Sequence, residues 1–225
     1  MSSPPQRPSV IAEDELAAAI GADRVLMLRQ VPAELRPAFE ALWQIDAAMG
    51  DVVARSTQPA LAAVKLAWWR DRLEGLDRGA VPAEPRLQAV AIHVLPRGVS
   101  GAELARIEDG LAALLDEEVD AARVAERGSL LFAAGARLLG MDEARVRNAG
   151  ALYALVSVGR RGVPELIEEA KARGIDRHRF PKLLRPLTGL ARLAVRDLKH
   201  GPPFEEEGSP PRLAAVLRHG WSGRL

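Results

Sequence analysis

The sequence predicts an all-α fold, a single helical domain of about ten helices. Three observations carry this reading. Ala, Leu, Arg and Glu dominate, and all are strong helix formers. No stretch keeps the period-2 alternation of a strand, and the chain holds only one Tyr and four Phe. Gly, Pro and Ser punctuation cuts the chain into segments of helical length, with no proline-rich linker between residues 10 and 200. A length of 225 residues suits one large domain.

The elements follow in order. MSSPPQRPS, polar and proline-rich, predicts a flexible tail over 1–10, with the helical domain over 11–200. A helix over 12–20 ends at Gly21, and Asp23 is placed to cap the next one, through Arg29. Pro32 suits a first helical position and opens a long helix to about Arg55. STQP at 56–59 opens another, to about Leu76. After a loop comes a helix over 84–94. Ser100 with Glu103 forms a capping box, starting a helix through about Ala125 that Gly128 breaks. LLFAAGARLLG at 130–140 reads as a buried helix with small residues in its middle. Asp142 starts a helix to about Val158, ended by RRGVP. VPELIEEAKARG gives a short amphipathic helix, and a helix with Pro181 and Pro186 near its start runs to His200. Residues 201–225 form a loop and a last short helix, PRLAAVLRHG.

Composition excludes several chemistries. The absence of cysteine removes disulfides, thiolate metal sites and a cysteine nucleophile. The N-terminus has no apolar core of a secretory signal, and no run approaches the roughly 18 apolar residues of a membrane span. A cytoplasmic location is expected, with peripheral contact at the inner membrane as its extension. Net charge is +1, unevenly spread: residues 1–150 carry 17 Lys and Arg against 22 Asp and Glu, and residues 151–225 carry 14 against 8. The basic C-terminal third points to an acidic partner, an anionic membrane surface or a solvated basic face.

The stretch ALWQIDAAMGDVVARS contains Asp46 and Asp51. Five residues apart on a helix, they point roughly 140° away from each other. Carboxylates sharing Mg²⁺ need their oxygens within about 4–5 Å, so these two are not a metal pair. In LAWWRDRL, Trp69 falls on one face with Leu66 and Leu73, and Trp68 flanks it. In DEEVD, Asp116 and Asp120 stand at i, i+4, a spacing open to a hard cation but expected on a solvated face. The histidines at 93, 178, 200 and 219 share no ligand spacing, and His93 is expected in the core or at its edge. RHRFPKLLR at 177–185 and the one-face set Arg192, Arg196 and Lys199 form a basic cluster. Near-absence of interleaved aromatics argues against nucleic acid as its partner.

Four stretches, DRVLMLRQVPAELRPAFEALWQID (23–46), QPALAAVKLAWWRDRL (58–73), LLFAAGARLLG (130–140) and NAGALYALVSVGRRG (148–162), resemble the squalene/phytoene synthase family in content and order. The resemblance covers roughly residues 20–200. The WWRD segment is most similar to the branch containing the mitochondrial complex I assembly factor. The resemblance implies an isoprenoid-synthase-like helical bundle with a central cavity, where two acidic motifs hold Mg²⁺ against the diphosphates of prenyl donors. The first motif, DDxxD-like, falls on Gly50, Asp51 and Ala54, and keeps one aspartate of three. The second, NxLRDxxED-like, falls on Ser157, Arg160 and Arg161, with no acid until Glu165. Both Mg²⁺ cradles are therefore expected to be broken, with no cofactor bound and Mg²⁺ expected only where residual family activity persists. The positions implied around the pocket are Asp51, Tyr153, Ser157, Arg160 and Arg161. The expected function is a degenerate, non-catalytic member acting in binding or assembly at a membrane or respiratory complex. The alternative is prenyl transfer, or binding of a prenyl diphosphate or other anion, with arginines in place of the metal.

Overall fold

The computed structural model describes residues 13–175 and 178–225. The tail over 1–10 and Arg177 of the basic cluster lie outside them. Among the described residues the chain is helical with no strand. The helices are α1 (Glu13–Ile20), α2 (Ala22–Leu28), α3 (Arg36–Ala54), α4 (Pro59–Leu76), α5 (Pro85–His93), α6 (Gly101–Ala105), α7 (Ile107–Ala112), α8 (Ala121–Leu138), α9 (Arg145–Gly159), α10 (Glu165–Arg173), α11 (Arg185–His200) and α12 (Pro210–Ser222).

Three predicted starts coincide with a physical device. Pro59 stands in the first turn of α4, and the Glu84 carboxylate accepts from the Leu87 amide at the start of α5. Ser100 and Glu103 exchange both capping-box bonds. Four expectations need correction. Asp23 does not cap α2; its carboxylate turns to Arg212 on α12 instead. Pro32 precedes a 3₁₀ turn, and Pro37 occupies the first turn of α3. Asp142 lies outside α9, which begins at Arg145. The break expected at Gly128 falls at 116–120, where the Asp120 carboxylate accepts from the amides of Ala122 and Arg123 and so starts α8.

Gly128 lies inside α8 because α8 and α9 touch there by their backbones. A Cβ on Gly128 would stand 2.1 Å from the Gly150 carbonyl oxygen, and one on Gly150 would stand 2.1 Å from that of Gly128. The helix tolerates the glycine's intrinsic cost because no other residue permits this crossing. The close approach places Tyr153, Ser157 and Arg160, one turn after another along α9, beside the core.

The buried hydrophobic residues form two clusters, a larger one through α3, α4 and α8 and a smaller one around α9 and α10. Phe39, Leu42, Trp43, Ile45 and Met49 of α3 meet Leu66 and Leu73 of α4 and Phe132 of α8, all fully buried. Phe39 and Trp43 pack edge to face, and Phe132 stacks on Tyr153. These side chains fill the middle of the bundle, where the resemblance implies a cavity. Trp69 is buried with Leu66 and Leu73, while Trp68 is partly exposed, as the helical spacing predicts. No helix of the described residues is long and apolar enough to cross a membrane.

Candidate functional site

Asp46 is the most buried carboxylate among the described residues, at 1% exposure. It sits on the buried face of α3 and aims its carboxylate between α2 and α8. Oδ1 accepts from Arg127 of α8, with Nη2 at 2.7 Å and Nε at 2.8 Å. Oδ2 accepts from Nη2 of Arg24 on α2. The Arg24 Nε in turn donates to the Tyr153 hydroxyl of α9 at 3.0 Å. Burial alone would raise the Asp46 pKa, but the guanidiniums of Arg127 and Arg24 outweigh it and hold the carboxyl below its ordinary range.

A second buried network lies one residue away on α2. Arg212, at 2% exposure on α12, grips Asp23 of α2 at 2.6 Å and Asp197 of α11 at 2.6 Å. The other Asp197 oxygen accepts from Arg160 of α9 at 2.7 Å. Arg160 also donates to the Glu205 carbonyl and lies over the Phe204 ring. The Gly208 amide donates to Asp23. Adjacent residues Asp23 and Arg24 thus bind opposite partners, and α2 ties α3, α8 and α9 to α11 and α12.

All five implied pocket positions border two adjoining clefts that share Ser157 and Arg161 as their common wall. The smaller, of about 140 Å³, is lined by Tyr153, Ser157, Arg160 and Arg161 together with Asp23 and Asp197. The larger, of about 320 Å³, is lined by Asp51, Ser157 and Arg161 with Arg24, Asp46 and Arg127. Asp51 stands at the rim with its side chain 58% exposed and pairs with Arg55 at 3.1 Å. Arg161 is 70% exposed and only 3.7 Å from Glu207. The small cleft balances Asp23, Asp197 and Glu207 against Arg160, Arg161 and Arg212. The large cleft sets Asp46 and Asp51 against Arg24, Arg127 and Arg161, leaving a positive excess.

These residues do not fit Mg²⁺. Asp46 has each oxygen engaged by a guanidinium, Asp51 faces solvent, and Arg161 adds positive charge between the clefts. Among the described residues, no group of three His, Asp or Glu converges on a point. Asp116 and Asp120 are also apart in role: Asp116 pairs with Arg123 at 2.9 Å, and Asp120 caps α8. His219 is buried between Thr188 and the Arg224 carbonyl, and His200 is exposed.

Asp23, Arg24, Arg127, Asp197 and Arg212 are site residues that sequence reasoning missed. Their signal was a charge in phase with apolar neighbours on a helix, as with Asp197 following Leu190, Leu193 and Ala194. Comparison with protein-family models, with curated proteins and with solved structures gives no match.

Proposed function

We propose that the chain is a non-catalytic relative of the squalene/phytoene synthases and works as a binding or assembly protein. The observation that supports this most is the fastening of Asp46 between Arg24 and Arg127. In a prenyl-transfer site, carboxylates on this helix must offer lone pairs to a metal. Here the motif positions Gly50 and Ala54 carry no carboxylate, Asp51 pairs with Arg55 at the rim, and the inward carboxylate one turn before them, Asp46, is consumed by two guanidiniums. The cleft walls argue the same way. Ligand pockets usually run to roughly 300–1,000 Å³ with mainly apolar walls. The cleft that holds Arg160 is only about 140 Å³, the other, about 320 Å³, lies at the bottom of that range, and both have charged walls. The core beneath is packed with aromatic and aliphatic side chains. A fold that keeps its helices but braces them with buried ion pairs presents surfaces rather than turning over a substrate. A membrane or respiratory complex is the partner class that the resemblance suggests.

A second reading has its own observation. Arg161 is exposed on the wall of the larger cleft, whose lining carries excess positive charge. Guanidinium is well suited to bidentate phosphate contacts. This favours an anionic ligand such as a prenyl diphosphate, held without metal. Arg160, the other expected clamp, is committed to Asp197 and the Glu205 carbonyl.

Thermal unfolding with farnesyl diphosphate, Mg²⁺ or both tests the two readings, because a ligand bound by the native state raises the unfolding temperature. Metal-free anion binding predicts a shift with farnesyl diphosphate alone that Arg161→Ala removes and Mg²⁺ does not increase. The assembly reading predicts no shift in any mixture, and co-purification with a membrane or respiratory complex. A shift that requires Mg²⁺ contradicts both.

A further inference from the structure

Helix α12 has an unusual division of faces. Arg212, Ala215, Val216 and His219 are buried against the body of the protein. The opposite face carries Leu213, Leu217 and Trp221, spaced four residues apart and 38%, 58% and 86% exposed. A surface helix ordinarily places charges there. Leu183, 50% exposed, lies on a 3₁₀ turn that borders the same hollow as Gly220. Two bonds pin this turn to the end of α12: Arg185 donates to the Gly220 carbonyl, and the Phe180 amide donates to the Gly223 carbonyl at 2.8 Å. The apolar side chains therefore form one ridge, roughly 12 Å long on α12 alone.

The sequence around this ridge is predominantly basic: residues 178–225 carry nine Lys and Arg against Asp197, Glu205, Glu206 and Glu207, of which Glu205 pairs with Arg196 and Glu207 lies near Arg161. Residues 208–225 carry Arg212, Arg218 and Arg224 and no Asp or Glu. Residues 178–204 carry one acid, Asp197, which is buried between Arg160 and Arg212. Arg218 is exposed beside Leu217, and Lys182 stands beside Leu183. Arg192 of α11 lies near Arg218 and Arg196. Burial and these two like charges push its pKa down, whereas Arg196 has the Glu205 carboxylate at 2.6 Å. An external anion beside Arg192 and Arg218 relieves this repulsion.

We infer that the outer face of α12, with Leu183 beside it, docks onto an anionic lipid bilayer. The face is a convex ridge with a terminal Trp, the form that beds into the headgroup boundary, with cations alongside to meet phosphates. The other exposed apolar set, Leu61, Val64 and Trp68 on α4, is mixed with Lys65, Asp71 and Arg72, so its charge selects no partner. The inference does not depend on what the clefts bind.

Co-sedimentation of the full chain with vesicles tests it. Vesicles of equal parts phosphatidylcholine and phosphatidylglycerol should carry the protein down, phosphatidylcholine alone should not, and added salt should release it. Trp221→Glu and Leu217→Glu should abolish sedimentation, and Arg218→Ala should weaken it about fivefold. Leu61→Glu, an exposed change on α4, should leave it intact and controls for general loss of fold. Equal binding to both vesicle types, no sedimentation with the phosphatidylglycerol vesicles, or sedimentation unchanged in Trp221→Glu and Leu217→Glu would each overturn the inference.

Discussion

Arg127 of α8 and Asp46 of α3, 81 positions apart in sequence, meet at 2.7 Å with side-chain exposures of 10% and 1%. Arg24 of α2 closes the same carboxylate from the other side. This arrangement joins three helices one turn before Gly50 and Asp51, the positions on which the resemblance places an acidic motif.

Removing the carboxylate should therefore be costly. Asp46→Asn leaves two buried guanidiniums without their counter-charge, and breaking a buried pair typically costs about 3–5 kcal/mol. For a chain of this size the unfolding temperature should drop by about 10 °C. Asp51→Asn, at the exposed rim beside Arg55, should change stability by under about 0.5 kcal/mol. Urea unfolding of the two variants checks the contrast.

The same carboxylate gives an acid limb to the stability curve. Its folded pKa lies below the ordinary value of about 4. The unfolded chain binds this proton more readily than the folded one, so the contribution is complete above about pH 4 and is lost as pH falls toward the folded pKa. The stability gap between wild type and Asp46→Asn should accordingly be constant from pH 7 to 5 and narrow below pH 4. A gap unchanged at pH 3 would contradict the assignment.

His219 should act in a higher window. Burial, with Arg185 and Arg192 nearby, pushes its pKa below the ordinary 6.5. The ring has its Nδ1 3.0 Å from the Arg224 carbonyl and its Nε2 2.8 Å from the Thr188 hydroxyl, which also lies 3.1 Å from the Leu184 carbonyl. Protonation is then easier in the unfolded chain, so stability falls as pH drops below 6.5 toward the folded pKa. His219→Gln should flatten that slope in unfolding measured between pH 7 and 5.

The α8–α9 crossing predicts a sharp difference between two glycines. Gly128→Ala forces a methyl into the Gly150 carbonyl and should destabilise by about 3 kcal/mol, the upper end of overpacking costs. Gly50→Ala, in the middle of α3 with nothing within 4 Å of its added Cβ, should stabilise by about 0.5–1 kcal/mol. Thermal unfolding of both checks this.

Local signals made the helices legible, and tertiary contacts decided what those signals missed. The Ser100–Glu103 box and the Pro59 start are properties of a few adjacent residues, and both appear as read. Gly128 looks like a breaker along the chain, and only its partner Gly150 explains why it lies within a helix. Asp23 has the composition of a cap, yet Arg212, 189 positions away, offers it a stronger bond. The parting of Asp46 and Asp51 followed from helical geometry alone, and the structure shows one buried and the other at the rim. The identity of Asp46's partners was not readable, because pairing across α2, α3 and α8 depends on how the bundle closes. Arg160 was expected to face an anion and instead faces Asp197, for the same reason.

The central proposal is that the chain carries out no Mg²⁺-dependent prenyl transfer. The most direct measurement is diphosphate release from farnesyl and geranylgeranyl diphosphates incubated with the purified chain and Mg²⁺. The account predicts release no faster than in protein-free controls. Mg²⁺-dependent turnover above that background, lost in Asp51→Asn, would contradict it.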